Sequence, residues 1–157
     1  MAFGISHTQV QSLLGSIGVA KGFKIWFPDN DRGKIDTSIV DKSRVIEKLP
    51  HFSNEIDNII SEIDVIWFEQ LQPVSFYEVE HSTPIYSGLL RFNDVLLTVA
   101  QTNNFNIVAN NEREGKFTRE VNRPTFKQNK LIEKVSFLDY DVVYRWYNTI
   151  TGRTYEN

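Results

Sequence analysis

The sequence predicts an α/β domain, a mixed central sheet with helices on its faces. Short aromatic and β-branched runs at residues 23–27, 64–68, 76–80 and 105–109 have the length and composition of strands. Between and around them, apolar residues recur at helical spacing. The resulting order is helix, strand, short helix, strand, strand, helix, strand, helix, with a less regular tail.

Ser6 followed by Gln9 is a capping-box pattern, and Val10, Leu13, Leu14 and Ile17 then mark one buried helical face, with Gly22 as the stop. Residues 23–27 form the first strand, and residues 28–33 read as a turn rich in loop formers. Little regular structure is expected over 34–52. Ser53 can cap a short helix carrying Ile56, Ile59 and Ile60 on one side. Asp64 opens the second strand, residues 70–73 turn, and residues 76–80 make the third strand. Thr83 as N-cap and Pro84 in the first helical position start a long helix. Its buried stripe is Ile85, Leu89, Phe92, Leu96 and Val99, and its opposite stripe is Ser87, Arg91, Asp94 and Thr98. After the strand at 105–109, a helix is expected over 112–122, ended by Pro124. A strand over 131–137 and a terminal helix through Val142, Val143, Trp146 and Ile150 complete the chain.

With 157 residues the chain suits one domain, with an expected radius of gyration of roughly 15 Å. Its core is expected over about residues 6–123, with 124–157 as a C-terminal extension. The absence of cysteine excludes disulfides and thiolate chemistry and fits a cytoplasmic protein. No apolar run approaches the length of a membrane span, and the first residues lack the pattern of a signal peptide. The net charge of −3 is mildly acidic. Its distribution is uneven, with acids concentrated over 29–80 and a local basic excess over 113–134.

Polarity stands in an unusual place on the second and third strands. Asp64 enters an apolar run, and Glu78 and Glu80 alternate with Tyr77 and Val79. Residues i and i+2 share a strand face, so the two glutamates lie together, and a hairpin brings Asp64 near them. Three neighbouring carboxylates repel one another and are costly to desolvate without a positive partner. A hard divalent cation of the Mg²⁺ type is the natural neutraliser. Alternating glutamates are also what the solvated edge of a sheet shows, with its aromatic face buried.

The αβββαβ order, with Asp64 on the second strand and Glu78-Val79-Glu80 on the third, resembles the PD-(D/E)xK nuclease superfamily, whose best-known members are restriction endonucleases. The run from Phe76 to Thr83, followed by Ile85 to Arg91, is also similar to uncharacterised bacterial restriction-endonuclease-like proteins. The resemblance implies a restriction-endonuclease-like fold and Mg²⁺-dependent hydrolysis of DNA, with Mn²⁺ able to substitute. It makes Asp64, Glu78 and Glu80 catalytic, with the metal held by Asp64, Glu78 and the backbone carbonyl of Val79. A homodimer on double-stranded DNA is implied, because one chain supplies one site and a duplex has two strands. Ile63 stands where the motif has proline, and Glu80 stands where it usually has lysine. Glu80 then serves as general base or binds a second metal; both roles stay open. The alternative is a non-catalytic domain of the same fold that binds nucleic acid or protein.

Around this core the sequence offers accessory candidates. Arg91 and Ser87, one turn apart on the exposed stripe, could meet a phosphate. His81 is an accessory candidate or a hydrogen-bonding residue at a strand end. Of the first helix, His7, Gln9 and Gln11 could point toward the site. Lys116, Arg119 and Arg123 step by three and four, as a ridge that could track a DNA backbone or as a solvated helix face. Trp26, Trp67 and Trp146 read as core.

Overall fold

The computed structural model describes residues 6–81 and 84–155. Strands β1 (Lys24–Trp26), β2 (Val65–Glu69), β3 (Gln72–Glu80), β4 (Phe105–Ala109) and β5 (Val135–Asp139) form one sheet in sequential order. The first three strands are antiparallel neighbours, and β3, β4 and β5 run parallel. The α/β class and the mixed sheet follow the expectation.

Helix α1 (His7–Ala20) begins with the expected capping box, Ser6 and Gln9 each accepting from the other's backbone N–H. Val10, Leu13, Leu14 and Ile17 are fully buried, packed on the sheet face that carries Val65, Trp67, Tyr77 and Val79. Gly18 lets α1 lie close, since a Cβ there would stand 2.5 Å from the Trp67 indole nitrogen. On the opposite face, helix α4 (Ile85–Thr98) buries Ile85, Leu89, Phe92 and Val95 against Ile66, Phe76, Phe105 and Ile107. Trp26 and Trp67 are buried, and Trp146 stacks obliquely on Trp67 with ring centres 5.6 Å apart.

Several elements differ from the sequence expectation. The turn at 28–33 contains a short helix, α2 (Asp29–Arg32), started by Pro28. Ser53 does not cap α3 (Asp57–Ser61) with its side chain; Ile56 is the N-cap, and the Ser53 carbonyl accepts from the Ile56 and Asp57 N–H groups. The β2–β3 turn is only Gln70 and Leu71, because β3 starts at Gln72 and absorbs its extra length in an irregularity beside Trp67 and Phe68. Asp64 therefore precedes β2 by one residue instead of opening it. Pro84 is the N-cap of α4 and not its first helical residue; the expected cap Thr83 lies outside the described residues.

The expected helix over 112–122 divides into a 3-10 turn (Asn111–Arg113) and α5 (Glu114–Val121). Pro124 starts a further short helix, α6 (Pro124–Lys127), as its fixed φ permits at a first helical position. The strand expected over 131–137 begins later, after a 3-10 turn at Leu131–Glu133. Residues 124–157, expected as an extension, supply the edge strand β5 and the helix α7 (Tyr140–Thr151). Tyr140, Val143 and Tyr147 of α7 are buried in the same core as α1.

Candidate active site

The hairpin places the acidic side chains. Val65 pairs with Tyr77, so one step further Asp64 faces Glu78 across the two chains. The link is made by backbone: the Val79 N–H donates to Asp64 Oδ2 at 2.7 Å. In a strand the N–H and carbonyl of one residue leave on the same side, so the Val79 carbonyl also opens toward Asp64.

Glu78 and Glu80 project together beneath α4, and both are buried, at 0% and 2% exposure. Gly88 allows the helix to cover them, since a Cβ at that position would stand 3.0 Å from Glu80 Oε1 and 3.1 Å from Glu78 Cβ. Burial, and next the Asp64 carboxylate, push the Glu78 carboxyl well above the usual glutamate range, against the opposing pull of Arg91. The ion pair is direct: Arg91 Nε donates to Glu78 Oε2 at 2.5 Å and Nη2 approaches Oε1 at 3.4 Å. Arg91 thus differs from the expectation of an outward stripe. Its side chain is 30% exposed and bends back onto the acid beneath the helix.

Asp64 is 14% exposed and has its own partner, with His7 Nε2 3.3 Å from Oδ2. The hydrogen bond to Asp64 holds the His7 imidazole above its ordinary pKa, against burial, which lowers it. Gln11, one turn into α1, donates from Nε2 to the Asp64 carbonyl at 2.9 Å and to Asp31 Oδ2 at 3.1 Å. Gln9 does not reach the site, being used in the capping box.

A cleft of about 540 Å³ opens here, lined by His7, Asp64, Val79 and Glu80 on one side and His81, Pro84, Ser87 and Arg91 on the other. Of the sequence candidates, Asp64, Val79, Glu80, His81, Ser87 and Arg91 thus share one depression, with Glu78 buried next to it. His81 is solvent-exposed, its Nδ1 3.2 Å from the Tyr140 hydroxyl, which in turn donates to the Glu80 carbonyl at 3.1 Å. Lys116, Arg119 and Arg123 do not line the cleft. They are exposed on and just after α5, and Arg123 meets Glu120 at 3.2 Å and lies over the Tyr86 ring.

Asp31 and Tyr140 were not foreseen. Asp31 had a weak signal, an acidic turn directly after a strand of the same sheet; Tyr140 had none.

The fold and this cleft define an α/β domain whose mixed sheet presents a carboxylate cluster beside the start of a covering helix. The family model for the C-terminal domain of the type II restriction enzyme NmeDI matches residues 3–155, and the chain belongs to that family. The type II restriction enzyme NmeDI of Neisseria meningitidis serogroup C is 36% identical over 138 residues, covering 77% of this chain and 37% of the relative. The chain thus corresponds to well under half the length of that curated relative. No solved structure matches the chain. Among the described residues, no helix is long and apolar enough to cross a membrane.

Proposed function

We propose that this chain is a metal-dependent endodeoxyribonuclease with a restriction-endonuclease-like fold, acting in restriction or defence in the cytoplasm. The observation that carries the reading is the gathering of Asp64, Glu78 and Glu80 at one end of a hairpin, beside a cleft of about 540 Å³. The family relationship to a type II restriction enzyme supports DNA as substrate.

The donor chemistry suits a hard cation, because Asp64, Glu78 and the Val79 carbonyl all offer oxygen from the same end of the hairpin. Mg²⁺, or Mn²⁺ in its stead, would be held by these three, and when bound it supplies an acidified water and charge neutralisation at the phosphate. The chain's residues do the rest. The Val79 N–H fixes the Asp64 carboxylate. Arg91 neutralises Glu78 and lies in the cleft wall, where an incoming phosphate competes for its guanidinium. Glu80 stands where related sites use lysine. It either takes the proton of the attacking water or serves as ligand to a second cation. Lys116, Arg119 and Arg123 would track the DNA backbone, so that affinity falls with salt. Two copies of the chain would cut the two strands of a duplex.

A second reading, a non-catalytic domain of the same fold that binds nucleic acid or protein, is favoured by one observation. Both Glu78 oxygens already face Arg91, with no lysine at position 80. Incubation with supercoiled plasmid separates the two. Nicking or cutting is expected with Mg²⁺ or Mn²⁺ and is abolished by Asp64→Asn and by Glu78→Gln, with circular dichroism unchanged. Undiminished cleavage by both variants rules out the assigned site, and no cleavage by the unsubstituted protein favours the binding module.

A further inference from the structure

We infer that the outer edge of β5 is a pairing surface for a second copy of this chain, the two β5 strands running antiparallel about a two-fold axis at Phe137. The two edges of the sheet are finished differently. Beyond β1 the chain covers itself: Val45 bridges to Ile25, and the Ile46 N–H donates to the Ile25 carbonyl at 2.8 Å. Beyond β5 no further strand or bridge follows among the described residues. The Lys134 carbonyl accepts from the Phe105 N–H and so faces β4. Backbone groups alternate in side along a strand, so the Val135 carbonyl, both polar groups of Phe137 and the Asp139 N–H point outward. Ser136 is exposed and residues 137–139 are partly so, whereas every residue of β4 is buried. An open edge is a template for another strand, and proteins commonly blunt it with lysine, proline or a bulge. The run from Val135 to Asp139 carries none of these.

Charge and register select the occupant. Lys127, Lys130 and Lys134 lead into the strand against Glu133 alone, while Asp139 and Asp141 stand at its far end. Antiparallel pairing lays the basic end of each copy beside the acidic end of the other; parallel pairing would set like charges together. A two-fold axis at Phe137 makes the edge its own complement. Each Phe137 N–H then donates to the carbonyl of the other Phe137, and each Asp139 N–H meets the Val135 carbonyl of the second copy. The two Phe137 rings, each already 5.4 Å from its own Phe117, come side by side on one face. The contact uses no residue of the cleft. It also sends the carboxylate ends of the two β3 strands opposite ways, so the inference stands apart from the nuclease reading.

Sedimentation velocity over a range of protein concentrations tests the pairing, with two edge variants compared. Phe137→Ala keeps the outward N–H and loses the ring. Phe137→Pro loses both, yet spares the β4 ladder, because the missing N–H faces away from β4. A reversible dimer is expected for the unsubstituted chain, and Phe137→Pro should weaken it at least about tenfold beyond Phe137→Ala, through the two central hydrogen bonds. Thermal melts check that both variants are folded. The chain has no cysteine, so one introduced thiol reports its own neighbour. Ser136→Cys, at an exposed position, should be joined to its counterpart by a short bismaleimide, and Leu71→Cys, 75% exposed in the β2–β3 turn, should not. A chain that stays monomeric, a dimer equally strong in Phe137→Pro and Phe137→Ala, or linkage at Leu71→Cys but not at Ser136→Cys overturns the inference. DNA cleavage by a chain that stays monomeric sinks this surface and leaves the nuclease reading intact. Linkage at Ser136→Cys in a protein that never cuts DNA does the reverse.

Discussion

Along β3 the face beneath α4 changes character within four residues. At Phe76 it is aromatic, the ring lying 5.0 Å from Phe105, which is itself 5.0 Å from Phe92 of α4. At Glu78 and Glu80 the same face carries carboxylates. Depth does not distinguish the two ends, since Phe76, Glu78 and Glu80 are all buried. What differs is the part of α4 above them. Phe92 fills space at one end, and at the other Gly88 leaves room for the acids while Arg91 supplies charge. One helix thus serves a dry core and a polar site by changing what it presents over a single turn.

The largest effects should appear when either end loses its partner. Phe76→Ala should cost about 3–5 kcal/mol as a large-to-small core change. Arg91→Ala should cost a similar amount, about 3–5 kcal/mol, by leaving a buried glutamate without its counter-charge. The ends differ in how they can be rescued. Adding Glu78→Gln to Arg91→Met should recover most of the loss, while no single partner change recovers Phe76→Ala. Urea unfolding measures all of these, and an Arg91→Ala cost near zero would show that the pair does not hold the acidic end together.

A smaller effect is expected at Gly88, where the acidic end lies against the helix. Gly88→Ala should destabilise by about 1–3 kcal/mol, since the added methyl meets the Glu80 carboxylate and the Glu78 stem. Denaturation of Gly88→Ala beside Gly115→Ala, which has only the Arg119 guanidinium 4.0 Å away, checks that the cost comes from this contact.

The smallest is a titration. His7 owes its raised pKa first to the hydrogen bond it donates to Asp64, with burial acting against it. In Asp64→Asn that support goes and burial remains, so the imidazole should titrate lower, as seen by its NMR shift against pH. The sign for stability follows. The His7–Asp64 contribution is complete below the unfolded-state histidine pKa and is lost as pH rises through the raised folded value. A His7 pKa unmoved by Asp64→Asn would show that the pair is not formed in solution.

Much of this was legible because local signals agreed with the final packing. The capping box at Ser6 needs only four consecutive residues, and the alternation over Phe76 to Glu80 states its own face. Tertiary effects were not legible. Helical spacing puts Arg91 with Ser87 and Asp94, opposite the buried stripe, yet its long side chain bends back because a buried acid lies beneath the helix. Asp31 reaches Asp64 only because α1 and β1 bring them together, whereas Gln11, which joins them, was among the first-helix residues expected to point toward the site. Pro124 both ends one helix and starts another, two uses that a single proline cannot distinguish.

The short hairpin also has a kinetic consequence. The contact between Asp64 and Val79 closes across 15 residues, while that between Gln11 and Asp64 spans 53. Closure entropy rises with loop length, and near contacts tend to form before remote ones. The carboxylates should therefore meet in the folding transition state, while α1 is still undocked. High φ-values at Val65 and Tyr77, with low ones at Leu13 and Val143, are the pattern this order requires. Early hairpin formation would then make the acidic end a place where a dication in the refolding buffer can speed folding.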